Sequence, residues 1–336
     1  MRRENSPSLR AVIQIHHSER PHLTSAVNQW SEVLENGGER VPLCVYLLGD
    51  WKVQPDLSIA RACFHHLSVP PSLDRYLTRM TPTATWNPWG LKSGPNWQFF
   101  QVLGDVSRNH PNEWTLLLET DTYPTRPDIV AGLYDLISSH PDRWVVGSIE
   151  PTVVSDRLEK RLVGHINGSA LYHSGQPGFQ AFLRSVWIPS LLSIVAERPD
   201  YPFDVLTAPQ LWSEIPRELG DAWRREADRF IKVGEMLNLS NLTETEAADL
   251  LIGLRRGGEY PSLVDTALIV HSKWNPRSSH LKAGRSLRKT PPWSASGRNS
   301  RTGLSNSTTL LPHLLDDQQH DSHNKDDGEG HIQDSR

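Results

Sequence analysis

A short apolar run that ends in two carboxylates constrains the fold of this 336-residue chain more than any other stretch. The segment from Trp114 to Leu118 is almost wholly apolar, which is typical of a central strand buried on both faces. Glu119 and Asp121 follow at i and i+2, so both side chains project to the same side while the chain stays extended. Open α/β sheets bind ligands just beyond the carboxyl ends of such strands. Two carboxylates there suit a hard divalent cation that bridges phosphate oxygens.

An α/β pattern surrounds this strand. Residues 11–16 and 43–48 predict two strands, and residues 23–34 predict an amphipathic helix between them. This β-α-β order predicts a parallel pair joined by a right-handed crossover. The same criteria predict strands at 62–67, 143–148 and 263–270, and helices at 129–137 and 177–195, the last interrupted at Pro189. The predicted fold class is α/β, with a mixed, mostly parallel central sheet flanked by helices.

Composition divides the chain into three parts. Residues 1–9 are polar, and we expect a disordered N-terminus. Residues 10–274 carry the predicted elements of one domain, in which 213–257 is charged, helical in pattern and predicted to form a helical cover subdomain. Residues 275–336 contain a basic block followed by an acidic block with few apolar residues, which is typical of a disordered tail.

Charge and hydropathy exclude several functions. The formal net charge of −4 gives no general attraction to nucleic acid. The sequence has neither a continuous apolar run long enough to cross a membrane nor the basic start and apolar core of a signal peptide, so we predict a cytoplasmic protein without a transmembrane segment. Cys44 and Cys63 both lie in apolar, strand-like surroundings and are predicted to be small buried side chains rather than a disulfide or metal pair.

Three segments in order resemble the motifs of GT-A glycosyltransferases. The segment Glu119-Thr120-Asp121 resembles the Asp-x-Asp motif of that family. Residues 165–172 resemble the segment that lines the donor-sugar pocket in a group of these enzymes, with Ser169 where that group has a second Asn. His271 follows the last predicted strand, where many members have a histidine that completes the metal site. The resemblance covers residues 11–274, and the exchange at Ser169 leaves the identity of the sugar open.

The resemblance implies a Rossmann-like GT-A fold and metal-dependent transfer from a nucleotide-diphosphate sugar, of UDP or GDP type, to a glycan or other hydroxyl acceptor. Mn²⁺ or Mg²⁺ would be held by Asp121 and His271, with Glu119 as a further ligand or at the ribose. Asp204, among apolar neighbours, would be the general base of an inverting enzyme, since burial favours proton abstraction by a carboxylate; it is equally compatible with a helix cap. The remaining donor-contact candidates are Asp50, Lys92, Asn96, His165, Asn167, Gly168 and Lys273.

Two alternatives belong to other functional classes. A GT-A-like fold without turnover would serve as a scaffold that binds a nucleotide sugar or a partner. Glu rather than Asp at position 119 leaves room for this, but a protein without turnover should more readily have lost Asp121 or His271. A nucleotidyltransferase that makes the activated sugar would need a glycine-rich basic loop directly after the first strand. Residues 16–20 contain no glycine, which argues against the second alternative.

Overall fold

The computed structural model describes residues 7–16, 19–35, 40–48, 62–67, 89–151, 156, 158–255 and 267–273. The predicted tail, residues 275–336, and the candidate Asp50 lie outside the described residues, as does the first half of the strand predicted at 263–270.

A nine-stranded sheet forms the centre of the molecule, in the order β3-β2-β1-β4-β7-β6-β8-β9-β5. Five of the pairings between described strands are parallel and three are antiparallel, the latter being β4–β7, β6–β7 and β5–β9. The mixed, mostly parallel sheet predicted from the sequence is thereby confirmed. The strands are β1 (Ser8–His16), β2 (Leu43–Leu48), β3 (Ala62–Leu67), β4 (Glu113–Leu118), β5 (Thr122–Pro124), β6 (Val145–Ile149), β7 (Leu171–Tyr172), β8 (Phe230–Asn238) and β9 (Ile269–His271).

Helices cover both faces of this sheet. In β4, Leu117 packs into the layer formed by α2 and by residues 177–195, whereas Leu116 and Leu118 pack into the layer formed by α1 and α3. This alternation explains the almost wholly apolar sequence of the strand. The helices are α1 (Arg20–Glu35), α2 (Ser93–Asn109), α3 (Ile129–Ser139), α4 (Pro177–Phe182), α5 (Ile188–Glu197), α6 (Arg217–Arg225) and α7 (Glu244–Arg255), with short 3₁₀ turns at Lys160–Leu162, Phe203–Thr207, Pro209–Ser213 and Ala227–Arg229.

Residues 213–257 are not helical throughout, so that part of the sequence-based prediction is wrong. They contain α6 and α7, but between these helices β8 enters the sheet between β6 and β9. Phe230 packs against one layer and Ile231 against the other, the period of a strand, which the flanking charged residues mask in the sequence. At the other end of the chain, β1 begins at Ser8, which pairs with Glu113, so residues 8 and 9 are ordered rather than frayed.

The helical segment from Pro177 to Glu197 continues past the predicted break. A π-helical turn, Leu183–Trp187, joins α4 to α5 and places Pro189 in the first turn of α5, where its missing N–H costs little. Among the described residues, this 21-residue segment is the one helix long and apolar enough to cross a membrane. Its inner face belongs to the core, with Leu183, Trp187 and Leu191 all buried. Core helices of soluble proteins pass the same length and composition test.

Cys44 and Cys63 form a disulfide, contrary to the sequence-based prediction. The two residues are direct partners in the parallel register of β2 and β3, with their Cα atoms 4.7 Å apart. Because residues paired in parallel strands point to the same face, the two sulfurs lie side by side. The separation of 19 residues along the chain does not reveal that these residues are neighbours. Cys44 is buried and Cys63, on the edge strand, is exposed. The guanidinium Nη1 of Arg10 lies 3.3 Å from the Sγ of Cys44.

Candidate active site

A cavity of about 1190 Å³ opens at the carboxyl ends of the central strands. Its walls come from Gln14 of β1, the turn between β4 and β5, and the segments 158–167, 200–205 and 238–241, with Lys92 and Lys273 also at the surface of the cavity. Loops at this end of an α/β sheet are its usual ligand-binding place. The ligand site predicted just beyond the strand, at Glu119 and Asp121, therefore lies inside a cavity large enough for a nucleotide sugar.

Three predicted metal ligands converge at this cavity. The Nε2 atom of His271 lies 3.0 Å from Oδ1 of Asp121 and 3.1 Å from Oε2 of Glu119. These two acids lie about 150 residues before His271, and antiparallel pairing of β5 with β9, which aligns Thr122 with His271, brings them together. The Ser272 N–H also donates to the Asp121 carbonyl at 3.0 Å, and this backbone hydrogen bond holds the turn between β4 and β5 beside the end of β9.

Electrostatics bind the three groups tightly to one another. Burial acts to lower the pKa of His271, but its hydrogen bonds to Asp121 and Glu119 and their negative charges outweigh burial and raise the pKa to about 10. Burial raises the pKa of Glu119. Burial also acts to raise the pKa of Asp121, but the hydrogen bond and charge of His271 prevail and lower it. In the metal-free protein, the proton on His271 supplies the positive charge that offsets the two carboxylates.

The donor set fits a divalent cation. The ligand atoms of Glu119, Asp121 and His271 all lie within 4.8 Å of one another. His271 is nearly buried, whereas about a third of each carboxylate side chain is exposed to the cavity, which leaves coordination positions open. Carboxylate oxygens suit Mg²⁺ and Mn²⁺, and an imidazole ligand favours the transition metal.

The segment predicted to line the sugar pocket lies directly beside these ligands. The Gly168 N–H donates to Oδ2 of Asp204 at 3.1 Å, so Asp204 binds this segment and does not cap a helix. A Cβ atom at Gly168 would lie 2.7 Å from Cζ of Phe203 and 3.0 Å from Oε1 of Glu119, which explains the requirement for glycine. Asn167, whose Oδ1 accepts from the Ser169 N–H, lines the cavity together with Asp204.

Ser169, which stands where the resembling group has Asn, has a structural task. Its Oγ accepts from the Glu119 N–H at 3.2 Å and lies 2.8 Å from Oγ1 of Thr122. The side chain is buried and does not line the cavity. Ser169 therefore holds the backbone of the turn that carries Glu119 and Asp121.

The other predicted donor contacts differ in their placement. Lys92, His165 and Lys273 line the cavity. Asn96 does not: it is fully buried, and its Nδ2 donates to the carbonyls of Trp89 at 2.9 Å and Tyr201 at 3.1 Å. The amide of Asn96 therefore ties two loops together, and its prediction as a donor contact has no support in the structure.

Asn238 and Glu150 also belong to the site, although neither was predicted from the sequence. Asn238 ends β8 and is 1% exposed, with its Oδ1 atom 3.2 Å from Nδ1 of His271. Glu150 follows β6, and its Oε1 accepts from Nδ2 of Asn238 at 3.2 Å. Burial raises the pKa of the Glu150 carboxyl. Only the pairing of β8 with β6 and β9, which the sequence analysis missed, could have indicated these two residues.

No family model and no curated protein matches the sequence. Similar solved structures are glycosyltransferases. They include the galactosyltransferase LgtC in complex with donor and acceptor sugar analogs, at 13% identity over 84% of this chain and 97% of that one, with a TM-score of 0.48. Mouse xyloside xylosyltransferase 1 is 12% identical over 80% of this chain and 99% of that one, with a TM-score of 0.43. At these values the likeness carries no functional argument, which rests on the site itself.

Proposed function

We propose that this chain is a metal-dependent glycosyltransferase that moves a sugar from a nucleotide-diphosphate donor to a hydroxyl acceptor. The observation that carries the proposal is the convergence of Glu119, Asp121 and His271 at the wall of a cavity that also holds two lysines. A divalent cation held by these residues would neutralise the charge that develops on a leaving diphosphate.

The residues around the cation would divide the work. Glu119, Asp121 and His271 would hold Mn²⁺ or Mg²⁺, with Mn²⁺ favoured by the imidazole. Lys273, whose positive charge helps to lower the pKa of Asp121, and Lys92, at the start of α2, would attract the phosphate oxygens. The absence of a side chain at Gly168 lets the backbone of this segment lie directly against Phe203 and the Glu119 carboxylate, which would keep the segment beside the cation.

Asp204 is the candidate for contact with a reacting or sugar hydroxyl. Its Oδ2 is engaged by the Gly168 N–H, whereas its Oδ1 is buried and has no hydrogen-bond partner among the described residues. Such an oxygen in a cavity wall is ready to accept from a ligand hydroxyl. In an inverting reaction it would take the acceptor proton, and in a retaining reaction it would bind a hydroxyl of the donor sugar.

Thermal melting with a panel of nucleoside diphosphates, with and without Mn²⁺, tests the proposal. We expect one nucleotide to raise the melting temperature only when Mn²⁺ is present, because a ligand that binds the native state stabilises it by mass action. The shift should vanish in Asp121→Ala, which should fold normally because the side chain lies at a strand end. The absence of a shift with every nucleotide would refute the metal-diphosphate site, and a shift without sugar transfer or donor hydrolysis would favour the scaffold.

A further inference from the structure

Three buried side chains form a hydrogen-bonded series behind the metal-ligand cluster. Glu150, Asn238 and His271 follow or end the adjacent strands β6, β8 and β9, and Asn238 is the direct register partner of His271. Glu150 accepts from the Asn238 amide at 3.2 Å, and the Asn238 oxygen lies 3.2 Å from Nδ1 of His271. Sheet pairing therefore fixes the positions of Asn238 and His271, and Glu150 directly follows the last paired residue of β6.

The orientation of the Asn238 amide follows from its other neighbours. Its Oδ1 lies 3.1 Å from the backbone N of Ser240 and 2.8 Å from the Ser240 hydroxyl. A backbone N–H can only donate, so the amide atom that faces it must be the oxygen. The amide nitrogen then faces the Glu150 carboxylate, a group that accepts. Two independent contacts thus give the same orientation.

This orientation determines which ring nitrogen of His271 carries a proton. Because the Asn238 oxygen can only accept, Nδ1 of His271 must be the donor. In the neutral ring the lone pair is then on Nε2, the nitrogen that faces Asp121 and Glu119. We propose that Asn238, anchored by Glu150, is a positioning residue that holds His271 in the tautomer that presents Nε2 to the cation. The inference deepens the proposed function and rests on it.

Two substitutions at Asn238 separate this role from simple packing. Asn238→Leu keeps a similar volume but removes the acceptor, and we expect Mn²⁺ affinity to fall about 10- to 100-fold, the usual effect of losing a partner behind a metal ligand. Asn238→Asp keeps the acceptor but sets a second carboxylate against Glu150. Adding Glu150→Gln restores a donor at that contact, so the double variant should bind Mn²⁺ more tightly than either Asn238→Leu or Asn238→Asp.

Asn96→Leu is the matched control. It removes another fully buried amide, one that donates to two carbonyls and does not line the cavity. We expect this variant to lower the melting temperature and to leave Mn²⁺ affinity unchanged. A loss of affinity in both leucine variants would mean that destabilisation, not positioning, weakens the site, and would overturn the inference.

The affinities are measured by titrating Mn²⁺ into the full chain and following free Mn²⁺ by electron paramagnetic resonance. Histidine ¹⁵N spectra of the Mg²⁺-loaded wild type report the tautomer directly and should show His271 protonated at Nδ1; protonation at Nε2 instead would overturn the inference. If Asn238→Leu does not fold, the comparison of Asn238→Asp with and without Glu150→Gln decides.

The outcomes distinguish this inference from the proposed function. Binding that is lost in Asp121→Ala but unchanged in Asn238→Leu would overturn the role of Asn238 and leave the metal site intact. A wild-type chain that binds no Mn²⁺, alone or with the nucleoside diphosphate selected by melting, would overturn the metal site and the inference together.

Discussion

Replacing Gly168 by alanine tests the close packing between the segment predicted to line the sugar pocket and the proposed metal ligands. The added Cβ would lie 2.7 Å from Cζ of Phe203, closer than real Cβ atoms approach a carbon. The Phe203 ring has no room to retreat, because it is buried and stacks on Phe99 with centroids 3.8 Å apart. The same Cβ would lie 3.0 Å from Oε1 of Glu119, a proposed metal ligand.

Overpacking of this kind costs about 1–3 kcal/mol, because the surrounding core must shift. In a domain of this size, about 2 kcal/mol corresponds to a fall in melting temperature of about 4–8 °C. Displacement of the Glu119 carboxylate should also weaken Mn²⁺ binding. Differential scanning calorimetry and the Mn²⁺ titration measure the two effects.

Gly104→Ala is the control for this substitution. Gly104 lies inside α2, where a Cβ would meet only the flexible end of Arg108, at 3.6 Å. Alanine in a helix interior is favoured over glycine by about 0.5–1 kcal/mol, so this variant should melt slightly higher than the wild type and bind Mn²⁺ equally. A Gly168→Ala variant that behaves like Gly104→Ala would refute the close approach of Gly168 to Phe203 and Glu119.

Three further predictions concern the disulfide, the histidine and the carboxylate in the cavity. Reduction of the Cys44–Cys63 disulfide, which closes a loop of 19 residues, should lower the free energy of unfolding by about 3 kcal/mol in denaturant titrations, whereas Cys63→Ser should be insensitive to reductant. In the metal-free protein the pKa of His271 is raised to about 10, so its stabilising contribution is full below its unfolded pKa of about 6.5 and is lost as pH rises toward 10. Melting in chelator across this range should show the loss, and His271→Gln should not. Asp204→Asn keeps an acceptor for the Gly168 N–H, so the melting temperature should hold while sugar transfer falls about 10²- to 10⁴-fold if Asp204 is the base.

The spacing of apolar residues within one segment was sufficient to predict several of the strands and helices. The apolar run before Glu119 predicted a strand buried on both faces, and the amphipathic pattern of residues 23–34 predicted α1 and its buried face. These predictions succeed because the period of side-chain burial depends on local geometry alone. The carboxylate pair is also local, since i and i+2 share a side in any extended segment.

Pairing between distant strands lies beyond local pattern. β8 carries charges on both sides of its apolar residues and reads as helix until its neighbours in the sheet are known. The disulfide depends on the register of β2 with β3, and the position of Asn238 depends on the register of β8 with β9. Asn96 shows the converse error, because a polar residue near a helix start was predicted to face a ligand but satisfies two buried carbonyls.

The carboxylates of the site and its histidine respond differently to the absence of a cation. Glu119 and Asp121 are brought together by one short turn and would repel each other without a positive charge between them. His271 supplies that charge when protonated, and a bound cation would supply it instead, so proton and metal compete for Nε2. The contact between His271 Nδ1 and Asn238, at 3.2 Å in the metal-free structure, would be kept in the cation-bound state, because Nδ1 would carry its proton in both. Asn238, which the sequence did not reveal, would therefore keep its contact while the proposed ligands exchanged a proton for a metal.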